Sequence, residues 1–573
     1  MTSASRTLGA ALALTAAAAA GLGALPRVTA AIQSPAPTVV AFEHVTVVPV
    51  DGERVLRDHT VVVRGRRIVG MGPANRTPVP RDARRVDGRG RYLMPGLVDM
   101  HVHPYDPDQF VNYLAHGVTT IGVLNGSPPV LRWRDEVARG TRLGPTIYSA
   151  GPSLDGAPAG NPTFLSVVTP EQGRRAVQQI ADRGFDFVKV YSSLTRETYG
   201  AIVTEARARR IPVVGHIPES VGVDSALGPG GQDVVAHAEE FFRERVDSAR
   251  REARLLDVVR RAKRAGIAVI LTLSGYADYI RSIDDLQGVL SDPEMRYASP
   301  AAYSEKIPTH NRSIRPNPEQ FRADLERALA RFLVFTKLLS DSGVAVMLGT
   351  DTEIFGFAGA SLHEELRQMV AAGLTPYQAL VAGTSEPGGW IARRVRRSER
   401  FGRVAVGERA DLLLLAANPL DDVNNTDRIE GVMVAGRWLP SDRLRTLRDS
   451  IARQYRPLRA LVPRFDSLVA AGRMAEASTV LTELRRLDPG RMPVAQVVMW
   501  VNARRLLSTD TLAAIQVLEW NAAMFPESHG AHTELARVLL AHRDTSRAVT
   551  EARRALRIFP MHAPAEGIAR LRR

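Results

Sequence analysis

The sequence predicts an α/β protein: a (β/α)8 TIM barrel with a small composite β-sandwich domain, followed by a C-terminal α-helical region. Three observations predict it. Short β-branched strands occur on both sides of a long central stretch. Within that stretch, strand-like and helix-like patterns alternate, and eight strands can be counted. Beyond about residue 441 the pattern is helical alone. The expected organisation is a signal peptide at 1–30, the composite β-domain at 38–93 plus 402–440, the barrel at 94–401 and the helical region at 441–573.

The N-terminus comes first. Residues 8–25 are almost entirely Ala, Leu and Gly behind Arg6, and Val28-Thr29-Ala30 offers the small residues that a signal peptidase reads. The reading is a cleaved export signal, a periplasmic or secreted protein, and no membrane span after cleavage. The run is slightly short for a spanning helix, which needs about 20 apolar residues. The 573 residues contain no cysteine, so no disulfide forms and any metal ligands must be nitrogen or oxygen. The net charge of +14 invites a nucleic-acid partner, but the arginines are spread along the chain with no aromatic-interleaved basic stripe, which excludes that reading. Only four of the 75 basic residues are lysines, at 189, 263, 306 and 337.

The composite β-domain rests on Val39-Val40-Ala41-Phe42, Val45-Thr46-Val47-Val48, Val61-Val62-Val63 and Ile68-Val69-Gly70, with turns at Asp51-Gly52 and Asp87-Gly88. Its later half is Ala410-Asp411-Leu412-Leu413-Leu414-Leu415 and Val432-Met433-Val434-Ala435-Gly436-Arg437. The eight barrel strands are expected at 97–103, 118–124, 146–150, 185–191, 211–217, 233–237, 267–273 and 344–351, with helices such as 170–183, 196–210 and 319–342 between them. Residues 275–317, rich in Pro, Asp and Tyr, read as a loop over the barrel mouth. In the helical region, Pro489, Pro526 and Pro560 follow similar helix ends at spacings of 37 and 34 residues. That period, with Ala-rich helices, resembles tetratricopeptide repeats, a TPR-like region that offers a surface for a protein partner.

The chemistry begins at Pro95-Gly96-Leu97-Val98-Asp99-Met100-His101-Val102-His103. Residues two apart on a strand share a face, so His101 and His103 can aim both imidazoles at one point. Val214-Gly215-His216 ends the fifth strand, Val235-Ala236-His237 the sixth, and Leu348-Gly349-Thr350-Asp351 the eighth. Four histidines and a carboxylate at strand ends form a metal-ligand set. Lys189, in Phe187-Val188-Lys189-Val190-Tyr191, lies inside the fourth strand of an arginine-rich chain. Burial favours its neutral amine, which can capture carbon dioxide as a carbamate able to bridge two cations. Arginine would stay charged. Tyr191 and His363 are the candidate substrate-binding residues.

These motifs, with Gly407-Glu408-Arg409-Ala410-Asp411-Leu412 and Asn418-Pro419-Leu420, resemble the amidohydrolase superfamily, and more closely its imidazolonepropionase-like and Xaa-Pro-dipeptidase-like members, over about residues 39–439. The helical repeats lie outside that pattern. The resemblance implies two divalent ions, Zn2+ suiting the donor set best. It implies that His101, His103 and Asp351 hold the more buried one and His216 and His237 the second, with carboxylated Lys189 bridging them. It also implies amide hydrolysis by a hydroxide held between the ions, with Asp351 as the catalytic proton acceptor. The expected substrate is a dipeptide, an N-acyl amino acid or a cyclic amide. Two other readings stay open: a one-metal cyclic-amide hydrolase or deaminase with unmodified Lys189, and an inactive barrel serving as a platform for the repeats. A homo-oligomer is compatible with all three.

Overall fold

The computed structural model describes residues 39–157, 159–243, 248–306, 317–352, 356–487, 494, 496–560 and 562–571; the expected signal peptide lies outside them. Among the described residues, no helix is long and apolar enough to cross a membrane.

The two segments that flank the central stretch build one hydrogen-bonded sheet of eight strands. Val39–Val47 pairs antiparallel with Leu56–Arg64 and parallel with Arg84–Asp87 and Tyr92–Pro95. Leu412–Leu415 then adds to Tyr92–Pro95, followed by Ile429–Val434 and Arg437–Pro440. Alternating Val and Leu side chains form its apolar face, on which Phe42 meets Trp438 edge to face at 5.0 Å. A buried ion pair ties this sheet to the central strands. Arg409 Nε donates to Asp411 Oδ2 at 2.6 Å, Arg409 Nη2 donates to Thr120 Oγ1 at 2.7 Å, and the guanidinium stacks 4.1 Å over Phe401. Both side chains of the pair are 1% exposed, so removing one partner alone strands a buried charge, at a cost of about 3–5 kcal/mol.

Between the two halves lie two parallel sheets. One contains Leu97–Val102, Val118–Val123 and Thr146–Ser149; the other contains Val188–Val190, Val213–Gly215, Val234–Ala236, Ala268–Ile270 and Ala345–Met347. Parallel bridges at Ala150–Phe187 and Val102–Thr352 join them at both edges. Asp351 N donates to His101 O at 2.7 Å, and Asp186 N donates to Ser149 O at 2.7 Å. Val98, Met100, Phe187, Val214, Ile270 and Met347 share one inner cluster, and Trp390 and Phe401 pack against it. The intervening helices start where the sequence supplies caps. Thr169 accepts from Gln172 N ahead of Pro170–Asp182, and Thr195 does the same for Thr198 N ahead of Arg196–Arg209.

One expectation is corrected. The stretch expected as a loop at 275–317 is largely helical: Leu273–Asp284, Leu286–Leu290, Pro293–Tyr297 and Pro300–Lys306 fill it, and 307–316 lie outside the described residues. Four of its Pro and Asp residues are helix starts. Asp285 and Asp292 are N-caps, and Pro293 and Pro300 open their helices.

The C-terminal region is helical, from Ser441–Ala470 to Ala563–Ala569. Gln496–Leu506 and Thr511–Met524 form one packed pair, His529–Ala541 and Thr545–Ile558 the next. These helices are docked onto the parallel-strand region. Tyr455 Oη donates to Asp106 Oδ2 at 2.9 Å, and Arg132 grips Glu527 with two bonds of 2.7 and 2.6 Å. His529 Nε2 donates to Phe164 O at 2.9 Å, and His562 Nδ1 accepts from Ser166 N at 3.1 Å.

The docking histidines make the contact acid-sensitive. Burial pushes His529 down to about 4 and holds His562 well below its usual 6.5. Because both folded values are depressed, the undocked or unfolded chain takes up protons first. Stability from these groups is complete above about pH 6.5 and is lost as pH falls toward about 4. The hydrogen-exchange protection factors of the 529–569 helices, measured against the intrinsic rate at each pH, are expected to fall between about pH 7.5 and about pH 5, and the His562→Gln variant to flatten that dependence. Equal protection at both pH values would contradict the docking account.

Candidate metal centre

The six predicted ligands lie at the carboxyl ends of five strands and line one cavity of about 2140 Å3. His101 Nε2 lies 3.2 Å from His103 Nε2, and Asp351 Oδ1 lies 3.2 Å from the first and 2.8 Å from the second. The imidazole of His237 continues the cluster, with its ring centroid 4.7 Å from that of His101 and 4.6 Å from that of His216. Tyr191 closes the row, 4.0 Å from His216 and 4.6 Å from Phe164.

The local backbone is bent to achieve this. The strand pairing of Leu97–Val102 slips between Asp99 and Val102, so His101 and His103, of opposite parity to the inward-facing Val98 and Met100, also turn inward and reach the cavity. His237, Thr272 and Asp351, at three successive strand ends, have φ of 78°, 56° and 59°. Such left-handed conformations cost about 1–3 kcal/mol each and persist where the surroundings over-determine them. Gly215 has φ of 130°, and a Cβ there would sit 2.3 Å from Val190 O and 2.8 Å from Lys189 Cδ. Only glycine leaves room for the Lys189 stem.

Supporting residues fix the ligands, and the sequence reading missed them. Glu240, fully buried, accepts from His216 Nδ1 at 2.6 Å and from Ile217 N at 2.9 Å. Thr272 Oγ1 contacts His237 Nδ1 at 2.9 Å. Both contacts engage Nδ1 and leave Nε2 free to ligate a cation. Asp99 accepts from Thr350 Oγ1 at 2.7 Å and from the amides of His101 and Thr350, tying the first strand to the last. A signal for Glu240 existed in His237-Ala238-Glu239-Glu240, where acids follow a ligand directly.

The electrostatics suit cation binding. Burial holds the imidazoles of His101, His216 and His237 well below their usual value, and so neutral. Burial brings the Lys189 ammonium down to about 8, against the pull of Asp351, Glu240 and Glu239. Burial raises Glu240 to about 7 despite Arg243. The donor set passes the test for a divalent ion: two imidazole nitrogens and a carboxylate oxygen lie within 4.8 Å of one another, and His101 Nδ1 is buried with no hydrogen-bond partner among the described residues. His363 is elsewhere, which corrects its expected contact with substrate. Its Nδ1 contacts Thr426 Oγ1 at 2.9 Å, its Nε2 donates to His116 O at 3.0 Å, and it does not line the cavity. It is a structural histidine joining two segments.

Replacing Glu240 by Ala is expected to weaken a cation held through His216 and His237 by about 10–100-fold while sparing one held through His101 and His103. Metal titration followed by calorimetry checks this, and unchanged affinity at both positions would contradict it.

The comparisons with known proteins agree with the geometry. The model of the Amidohydrolase family matches residues 92–439. Ochratoxinase of Aspergillus niger is 24% identical over 442 residues, covering 66% of this chain and 81% of its own. Among solved structures, bottromycin amidohydrolase superposes with a TM-score of 0.59 at 26% identity, over 74% of this chain and 94% of that one. A candidate prolidase from Bifidobacterium longum gives a TM-score of 0.55 at 26% identity, over 73% and 100% respectively. The chain belongs to the amidohydrolase family and is a hydrolase acting on carbon–nitrogen bonds.

Proposed function

We propose that the chain hydrolyses amide C–N bonds with two divalent cations held at the mouth of a (β/α)8 barrel. The single observation that carries this reading is the convergence of His101, His103 and Asp351 within 4.8 Å, in a cavity also lined by Lys189, His216 and His237. The barrel reading is supported by the parallel bridges at both edges of the two central sheets. His101, His103 and Asp351 would hold one ion and His216 and His237 the other, with Lys189, carboxylated on Nζ, shared between them. Zn2+ suits these ligands best. Bound there, such ions supply polarisation of the amide carbonyl and a lowered pKa for water.

The chain's own residues do the rest. Asp351 takes a proton from the attacking water on its carboxylate and returns it to the leaving nitrogen. Tyr191, beside His216, is placed to donate to a substrate oxygen. Glu240 and Thr272 keep the imidazoles oriented. The substrate class is a dipeptide, an N-acyl amino acid or a cyclic amide, and the likeness to a candidate prolidase favours the dipeptide. Export through the residue 1–30 signal and a TPR-like character for the C-terminal helices belong to the same proposal.

A one-ion centre is the second reading. It is favoured by one fact: of the five histidine and aspartate residues of the set, only His101, His103 and Asp351 form a group of three whose donor atoms lie within 4.8 Å of one another. Metal content separates the two. The two-ion reading expects two equivalents of zinc per chain, falling to one or fewer in Lys189→Ala, and mass spectrometry of the native protein showing one added carbon dioxide. One equivalent in both proteins would favour the second reading.

Turnover tests the function itself. Zinc-loaded protein screened against dipeptide, N-acyl and cyclic-amide libraries should hydrolyse members of at least one, and chelation should abolish this until zinc is returned. Asp351→Asn is expected to lower kcat by about 100-fold or more with a smaller loss of metal. A loss confined to metal content, with the reloaded variant fully active, would remove Asp351 from the proton path.

A further inference from the structure

The cavity is larger than hydrolysis of a dipeptide requires. Small-molecule pockets usually enclose roughly 300–1,000 Å3, against about 2140 Å3 here. The additional wall is made by the C-terminal helices, which lie beyond the 92–439 family match. Arg453 from Ser441–Ala470, Arg486 from Met474–Leu487, and Glu527 and His529 near the start of His529–Ala541 line the same space as the metal-ligating residues.

This wall is fixed. The Arg132–Glu527 pair, the His529–Phe164 and His562–Ser166 bonds, and Arg183 lying 4.3 Å over the Phe559 ring hold it against the parallel-strand region. Gly530 approaches so closely that a Cβ there would overlap Pro162 O, at 1.4 Å. The contact also reaches the site: Phe164, whose carbonyl His529 holds, packs its ring on Tyr191, and Tyr191 packs on His216.

The charges on the wall are not balanced in the same way. Glu527 is held by Arg132, Asp108 and Glu136 by Arg142, and Asp106 by Tyr455. Arg139, Arg453 and Arg486 also line the cavity and are exposed, yet none has an ion pair or side-chain hydrogen bond among the described residues. Among the described residues, then, three guanidiniums that line one cavity, two of them on the helical wall, carry charge that no carboxylate of the chain neutralises, and a carboxylate is the group a guanidinium pairs with best.

We propose that the C-terminal helices are the distal part of the substrate site, and that Arg453 and Arg486, with Arg139, select an elongated amide bearing a second carboxylate remote from the scissile bond. This rests on the hydrolase reading for the reaction at the cavity's base, but the recognition itself can be read without turnover.

The test uses the full-length zinc-loaded protein and two probes of equal acyl length, N-suberyl-L-phenylalanine and N-octanoyl-L-phenylalanine. They differ only in a terminal carboxylate against a terminal methyl. Affinity is read as Kd by calorimetry, and as KM where a probe is turned over. The suberyl compound is expected to bind about tenfold tighter at low salt. The Arg453→Gln/Arg486→Gln double variant should bring the two within about twofold while leaving the octanoyl affinity unchanged. Equal affinities in the native protein, or a preference that survives the double variant, would overturn the proposal. A preserved preference with neither probe hydrolysed would instead count against N-acyl amino acids as the substrate class and leave the carboxylate site standing.

Discussion

Desolvation at the carboxyl ends of the parallel strands is the constraint on which the rest of the site depends. In water an imidazole is partly protonated near neutrality and an ammonium fully so, and neither charged form binds a cation. Here His101, His216 and His237 are buried and held neutral, and Lys189 is brought down to about 8. The same burial that would penalise these groups in an ordinary core leaves them in the neutral form that a cation requires. Maintaining it requires strained backbone at His237, Thr272 and Asp351, a glycine where the Lys189 stem passes, and the buried Glu240 carboxylate behind His216. The shared consequence of these features is the orientation of donor atoms.

The C-terminal helices extend that logic outward. They enclose space in front of the ligands that the family-matched segment leaves open, and they are anchored by hydrogen bonds to the backbone at Phe164 and Ser166 and not through apolar burial alone. Backbone anchors fix distance and register, which is what a wall of a binding site needs. Through Phe164 and Tyr191 the wall touches the aromatic row that ends on His216. A region that reads as a separate interaction module in sequence is thereby packed into the catalytic part of the molecule.

Much of this was legible in the sequence, for physical reasons. Each of the eight expected parallel strands has a counterpart, because buried strands read as continuous β-branched runs. The ligands were legible because they sit at the ends of those runs and because Lys189 stands out among arginines. The two-residue spacing of His101 and His103 pointed to a shared target, but the pairing slip that turns them inward, although their parity is opposite to that of Val98 and Met100, depends on the neighbouring strand and leaves no local mark. Glu240 and Thr272 act on ligands 24 and 35 residues away, a relation set by tertiary packing alone. His363 misled because a histidine opening a helix after the last strand looks the same whether it faces substrate or, as here, bonds Thr426 and His116 O. The helices within 273–306 were hidden by their own caps, since Pro and Asp mark loops and helix starts alike.

The central claim is that side chains from five strands surround a pair of cations bridged by a modified lysine. Anomalous X-ray diffraction from crystals of the zinc-loaded protein, collected on both sides of the zinc edge, tests it most directly. The account predicts two anomalous peaks, one within bonding distance of His101, His103 and Asp351 and one within bonding distance of His216 and His237, with density for a carboxylate continuous with Lys189 Nζ between them. A fully loaded crystal with no peak beside His101 and His103, or with Lys189 Nζ unmodified and turned away from both metals, would contradict it.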